Sequence, residues 1–274
     1  MSDVGSAREL MGTAADAARA GARVIRAARE SGHRIGFDEK GRNDFVTAVD
    51  REAESAIIDL IREKHPDHGF IAEESAATDP GGEIRWVIDP LDGTTNFIHG
   101  FPVFSVSVAA ARSGPGPVSE DDLLAGAIYD PIRDEMFQAA DGCGATLDGR
   151  PIEAAQRDAL ESCLLLTGFP FRAQHLLETY LKIFADLHKS SHGIRRAGSA
   201  ALDLAYVACG RADAFFEFSL SPWDMAAGTV ILREAGGIVR DFTGGSRHME
   251  TGHIVAGGAA AVEGILKIIE RHFP

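Results

Sequence analysis

The stretch Trp86-Val87-Ile88-Asp89-Pro90-Leu91-Asp92-Gly93-Thr94-Thr95-Asn96 decides how the rest of the chain is read. Trp86-Val87-Ile88 predicts a buried strand, and Pro90, which has no N–H to give a ladder, predicts its end. Asp89 and Asp92 then stand three residues apart across a turn, so both carboxylates can converge on one point. Gly93 permits a backbone conformation closed to other residues and a close approach to a ligand. Thr94, Thr95 and Asn96 suit the first turn of a helix, whose free N–H groups can hold a phosphate. Two hard carboxylates, a nearby carbonyl and an N–H cradle make a Mg²⁺–phosphate site. Taken alone, the same stretch is more often an acidic capped turn with no ligand.

Working outward, further acids fall at the ends of short elements. Phe70-Ile71-Ala72 reads as a buried strand closed by Glu73-Glu74. Trp223-Asp224 opens a helix, where a carboxylate is favoured by the dipole and can face inward. Asp44 and Asp50 bracket Phe45-Val46-Thr47-Ala48-Val49, an extended segment feeding an amphipathic helix over 50–64 that stops before Pro66. An Ala-rich helix is expected over 7–30, ending near Ser31-Gly32, and strands over 103–111, 126–129 and 135–139. Beyond residue 150, strands (163–167, 214–218, 238–239) alternate with helices (174–188, 199–210 capped by Ser199, and 223–235 closed by Gly236-Gly237), which suggests a more parallel layer. Two units are therefore expected, 1–150 carrying most of the acids and 151–274 carrying Asp224.

Composition narrows the function classes. The 274 residues carry 27 Lys+Arg against 41 Asp+Glu, a formal net charge of −14, so a chain that coats nucleic acid through phosphate contacts is disfavoured. Hydrophobic residues at 45% exclude a mostly disordered chain. Cys143, Cys163 and Cys209 form no CxxC and no even framework. No apolar leader and no bilayer-length run is visible, so a cytoplasmic protein without membrane contact is expected.

With these residues in place, the sequence resembles the inositol monophosphatase family, within the fructose-1,6-bisphosphatase-like superfamily. The resemblance rests on Asp44 to Asp50, Gly69 to Ser75, Trp86 to Phe97 and Trp223 to Gly228, in family order. The segments EKGRNDFVTAVD and GSAALDLAYVA (198–208) are similar to the bacterial branch named for inositol-1-phosphatase activity. The resemblance implies an α+β fold, a layered αβαβα sandwich with an antiparallel-rich sheet in the first half and a smaller mixed or parallel sheet in the second. It also implies two to three Mg²⁺ ions, lithium sensitivity, a small phosphorylated substrate and a homodimer. Glu73, Asp89 and the Leu91 carbonyl would hold one ion, and Asp89, Asp92 and Asp224 a second. Glu73 would also help bind a third. Gly93 and Thr94 would offer N–H groups to the phosphate, Asp50 and Thr94 would position and activate the attacking water, and Glu217 and Ala200 would lie on the substrate side.

Substrate identity stays open, because the same acidic core serves relatives that hydrolyse inositol phosphates, fructose-1,6-bisphosphate, histidinol phosphate or nucleotide 3′-phosphates. A non-catalytic regulatory role is the alternative from a different class. His65/His68 and His188/His192 are near pairs without an accompanying metal motif, and Gly142-Cys143-Gly144 reads as a turn. P-loop, serine-hydrolase and aspartyl-phosphate motifs are absent.

Overall fold

In a computed structural model, residues 3–31, 36–41, 44–78 and 81–273 are described, with backbone alone at 3, 39–41 and 44–46. The helix stop expected at Gly32 and the side chains of Asp44, Phe45 and Val46 lie outside the described residues. Helix α1 (Asp3–Glu30) is followed by a hairpin of β1 (Phe37–Gly41) and β2 (Asp44–Thr47), then α2 (Ala48–Lys64). Next come β3 (Gly69–Ala72), β4 (Ile84–Asp92), the short α3 (Thr94–His99) and β5 (Ser105–Arg112). Strands β6 (Leu123–Asp130), β7 (Glu135–Ala140), β8 (Ala145–Leu147) and β9 (Arg150–Pro151) continue the first sheet. The second half runs β10 (Leu164–Thr167), α4 (Leu177–Ser190), β11 (Gly193–Arg195), α5 (Ala200–Ala208) and β12 (Ala214–Glu217). It closes with α6 (Pro222–Glu234), β13 (Ile238–Arg240), α7 (His248–Thr251), β14 (Ile254–Gly257) and α8 (Ala259–Glu270).

Strands β3 to β9 form a seven-stranded sheet in sequence order, antiparallel except for the β3–β4 pair. The second sheet has the order β11-β10-β12-β14-β13, parallel on the β11 side and antiparallel on the β13 side. Helices α1 and α2 cover one face of the first sheet. Helices α5 and α6 lie between the two sheets, and α4 and α8 cover the outer face of the second. This is an α+β sandwich of five layers.

Side-chain size explains the layering. Ala14, Ala17, Ala18 and Ala22 bury one stripe of α1, so the helix backbone can approach the sheet closely, while Ile57 and Ile61 bury the matching stripe of α2. Between the sheets α5 and α6 are apolar nearly all round (Ala201, Leu202, Leu204, Ala205; Met225, Ala226, Ala227, Ile231), as a helix covered on both sides must be. Among the described residues no helix is long and apolar enough to cross a membrane.

Pro90 does not end its strand. Strand β4 runs on to Asp92, and between Asp89 and Asp92 its register against β5 shifts. Asp89 pairs with Ser107 and Asp92 with Ser105, three steps on one strand against two on the other. A bulge tolerates a residue without an N–H, which is why proline fits there. The extra residue also changes parity. Residues three apart on a regular strand face opposite ways. Here Asp89 and Asp92 oppose Ser107 and Ser105, which are two apart, so both acids face the same side.

Candidate active site

The bulge points Asp89 and Asp92 into a cavity of about 320 Å³. Glu73, just past β3, lies beside them because its N–H still bonds the Ile88 carbonyl at 3.2 Å. Across the gap Asp224 enters from the first turn of α6 and Glu217 from the end of β12. The cavity is thus lined by five carboxylates against two arginines, Arg172 and Arg196.

Each acid is held by local structure. Asp89 is 1% exposed, and its Oδ1 accepts the Leu91 N–H at 3.0 Å, clasping the bulge. Asp92 accepts Ser199 Oγ at 2.5 Å, Ala201 N–H at 2.8 Å and Ala200 N–H at 3.3 Å, at the N-terminus of α5. Ser199 also caps α5, so one hydroxyl fixes both the helix start and the acid. Asp224 is the N3 residue of a capping box with Ser221 and accepts its N–H at 2.7 Å.

Burial and repulsion act in one direction on Asp89, Asp92 and Glu217. Asp89 is pushed far above the usual carboxylate range, first by burial and then by Glu73, Asp92 and Asp224. Asp92 is pushed up to about 7, by burial and then Asp224, in spite of its hydrogen bonds. Glu217 is pushed up to about 8, by burial and then Asp224, against the pull of Arg196. Carboxylates that raise one another this way call for a cation, and hard oxygen donors suit Mg²⁺. By donor chemistry the residues fit that ion. Among the described residues, no three acidic, histidine or cysteine side chains are already gathered into a closed ligand set.

Gly93 follows Asp92 with φ 99°, and a Cβ there would come within 3.0 Å of the Val103 carbonyl and 3.1 Å of the Gly198 carbonyl. No other residue fits. Asn96 braces the same turn by donating Nδ2 to the carbonyls of Val103 (2.7 Å) and Ala197 (2.9 Å). The Thr94 hydroxyl lies 2.9 Å from Asp50 Oδ1 and 3.1 Å from the Leu91 carbonyl. Its single proton serves one acceptor at a time, and the carboxylate is the stronger. Asp50 is itself a cap: its Oδ2 accepts the Thr47 N–H at 2.9 Å and the Thr47 hydroxyl at 2.5 Å. Burial pushes Asp50 up, opposed by the Thr47 and Thr94 hydrogen bonds.

The structure therefore brings Glu73, Asp89, Leu91, Asp92, Gly93, Thr94, Ala200, Glu217 and Asp224 to one cavity, with Asp50 directly behind Thr94. Sequence reasoning missed several neighbours. Arg172, Phe169 and Phe171 line the cavity from the loop after β10, and Arg196 lies on its rim over Phe169. The signal was available, since loops after the C-terminal ends of strands in α/β layers commonly line ligand crevices. Gly168 was missed too: a Cβ there would overlap the Glu217 carboxylate at 2.0 Å. Behind the cavity, Asp203 is buried with Oδ1 unpartnered, and Glu54 on α2 accepts the Glu74 N–H at 2.9 Å. The histidine pairs take no part. His65 bonds Thr13 at 3.1 Å, while His68 accepts Trp86 Nε1–H at 3.0 Å and stacks on His65.

The model of the inositol monophosphatase family matches residues 6–273. The chain belongs to the inositol monophosphatase family. Membership places it among generally Mg²⁺-dependent phosphatases. The chain is 46% identical over 266 residues to a protein of Pseudomonas aeruginosa named Nus factor SuhB, covering 92% of this chain and 96% of that one. Among solved structures it is similar to the extragenic suppressor protein suhB of Bartonella henselae, with TM-score 0.89, 38% identity and coverage of 96% and 99%. It is also similar to the inositol monophosphatase of Anabaena (Nostoc) sp. PCC 7120, with TM-score 0.84, 35% identity and 97% of each chain covered. This family member thus carries its five cavity acids on a scaffold shared along nearly its whole length.

Proposed function

We propose that the chain hydrolyses a small polyol or sugar phosphate monoester, with inositol 1-phosphate as the first candidate, using Mg²⁺ held by Glu73, Asp89, Asp92, Asp224 and the Leu91 carbonyl. The observation that carries this reading is the β4 bulge, which turns Asp89 and Asp92 to one side beside the Gly93–Thr94 turn. Asp89, whose carboxyl is raised by Glu73, Asp92 and Asp224 after burial, would be the acid shared between ions, as the family resemblance implies. Bound Mg²⁺ supplies Lewis-acid polarisation of the phosphate and lowers the pKa of water.

The chain's own residues do the rest. Gly93 and Thr94 direct backbone N–H groups of the first turn of α3 at phosphate oxygens. Thr94 Oγ, tethered to Asp50, orients water for attack on phosphorus, and its proton passes through the hydroxyl to the carboxylate. As the new P–O bond forms the ester P–O bond breaks, and the departing alkoxide takes up a proton from water to leave as the alcohol. At the far side Glu217 accepts hydrogen bonds from substrate hydroxyls, and Ala200, small and backed by Asp92, leaves room for a ring. About 320 Å³ fits a single sugar-sized ring with its phosphate. A homodimer, a cytoplasmic site of action and inhibition by Li⁺ belong to the same proposal.

The test is phosphate release from inositol 1-phosphate, fructose-1,6-bisphosphate, histidinol phosphate and a nucleotide 3′-phosphate at fixed Mg²⁺, with and without excess EDTA. Inositol 1-phosphate should give the highest kcat/KM, and all activity should vanish in EDTA. Undiminished release in EDTA would overturn the metal reading, and a preference for another ester would overturn the substrate.

The name Nus factor, carried by the Pseudomonas relative, supports a second reading in which the chain also acts on transcription through a protein partner. Its net charge of −14 favours such a partner over direct RNA contact. Asp89→Asn separates the readings: transcription effects that survive in a hydrolysis-dead variant belong to the second.

A further inference from the structure

Arg172 occupies a position the proposed chemistry does not use. It leaves the loop after β10, in the second half of the chain, and reaches across the cavity mouth to the first. Its Nη1 donates to Ser221 Oγ at 3.0 Å and to Asp224 Oδ2 at 3.2 Å, and Nη2 approaches Glu73 Oε1 at 3.5 Å. The guanidinium lies 5.0 Å over the Phe171 ring, which fixes its approach. The pairs are sheltered, with side-chain exposures of 27% for Arg172, 12% for Glu73 and 9% for Asp224. Among the described ion pairs, Arg172 is the arginine that reaches the cavity acids.

The two acids it joins come from opposite sides of the site. Glu73 follows β3, and Asp224 opens α6. Both are proposed ion ligands, and a guanidinium on Asp224 Oδ2 and Glu73 Oε1 disfavours a dication on the same two carboxylates, because like charges at that separation repel. An arginine stays charged at any working pH and cannot withdraw by losing its proton, so it can only move.

We infer that Arg172 is a built-in counter-cation of the ion-free site: it bridges Glu73 and Asp224, competes with divalent cations for those carboxylates, and swings away when they bind. The inference rests on the ligand assignment proposed above. Its first consequence is that part of the free energy of ion binding goes into displacing Arg172, which weakens the site that depends on Asp224. Its second is that Arg172 holds the two sides of the cleft together when no ion is bound.

The experiment uses Mn²⁺ as probe, titrated calorimetrically into metal-stripped wild type, Arg172→Gln and Arg172→Lys without substrate. Thermal midpoints are measured in EDTA and at saturating Mn²⁺. Arg172→Gln should bind Mn²⁺ about tenfold more tightly at its weaker site, the scale on which outer residues tune metal sites and on which removing a competing state raises apparent affinity. Its midpoint should fall in EDTA and match wild type at saturating Mn²⁺. Arg172→Lys, which keeps the charge and loses the fork, should lie between. Unchanged or weaker Mn²⁺ binding by Arg172→Gln, with wild type binding normally, overturns the role of Arg172 and leaves the ligand assignment standing. A wild type that binds no Mn²⁺ overturns both.

Discussion

Two aspartates of this chain occupy the same local position and have different surroundings. Asp50 is the N3 residue of the capping box that opens α2, and Asp224 is the N3 residue of the one that opens α6. In each, Oδ2 accepts the N–H of the cap residue, at 2.9 Å from Thr47 and 2.7 Å from Ser221. The box holds the carboxylate rigid at a helix start where negative charge is favoured. What differs is what the rest of the fold delivers. Asp50 meets the Thr94 hydroxyl and stays behind the cavity wall, whereas Asp224 lines the cavity with Glu73, Asp89 and Asp92. A cap is thus a positioning device, and the facing element decides whether the acid joins the cavity or meets a hydroxyl.

The largest effect expected from this difference is on turnover. Asp224→Asn should lower kcat by about 10³-fold at Mg²⁺ levels that saturate the wild type, the scale of several kcal/mol of lost Lewis-acid stabilisation. Partial recovery at high Mg²⁺ would sharpen the assignment; near-native turnover would break it.

Asp50→Asn and Thr94→Ala should each cost about 10²-fold in kcat, and the double variant no more than the slower single one, since a dyad acts as a unit. If kcat hardly moves while the thermal midpoint falls, Asp50 is a cap alone and the comparison collapses.

The smallest effect is on stability against pH. Asp92 at about 7 and Glu217 at about 8 are raised above their unfolded values, so the folded chain holds the extra protons between about pH 4 and pH 8. Raising pH through that window therefore destabilises the ion-free protein. Ions would bind deprotonated Asp92 and lie near Glu217, so Mg²⁺ opposes the loss. The gap between midpoints in Mg²⁺ and in EDTA should widen by a few degrees from pH 5 to pH 8, with ~1 kcal/mol corresponding to roughly 2–4 °C in a chain of this size. A constant or narrowing gap would mean that these acids are not facing the ions.

Much of this was legible in the sequence where a local rule carried it. The amphipathic pattern of 50–64 marked α2, and Ser199 marked the start of α5. The acids at element ends marked residues that the fold brings to one cavity. Pro90 misled, because its missing N–H ends a regular ladder and also fits a bulge, and only pairing with Ser105 and Ser107 tells the two apart. That same pairing is what turns Asp89 and Asp92 to one face. The double duty of Asp50 was legible as two competing readings; the structure shows the cap and the Thr94 bond together, on different oxygens. The loop that carries Arg172 was legible as a strand-end loop, but its contacts with Glu73 and Asp224 were not, because they span 99 and 52 residues of chain and no periodicity reports them. Strand β14 and helix α8 depend likewise on pairing or covering partners distant in sequence.

We propose that the fold gathers these acids to hold divalent ions, with Asp224 a ligand where Asp50 is not. Calorimetric titration of metal-stripped protein with Mn²⁺ tests it most directly, using wild type, Asp224→Asn and Asp50→Asn without substrate. Wild type and Asp50→Asn should each bind at least two ions per chain, and Asp224→Asn one fewer. Equal stoichiometry and affinity for Asp224→Asn and wild type, or loss of an ion from Asp50→Asn, would contradict it.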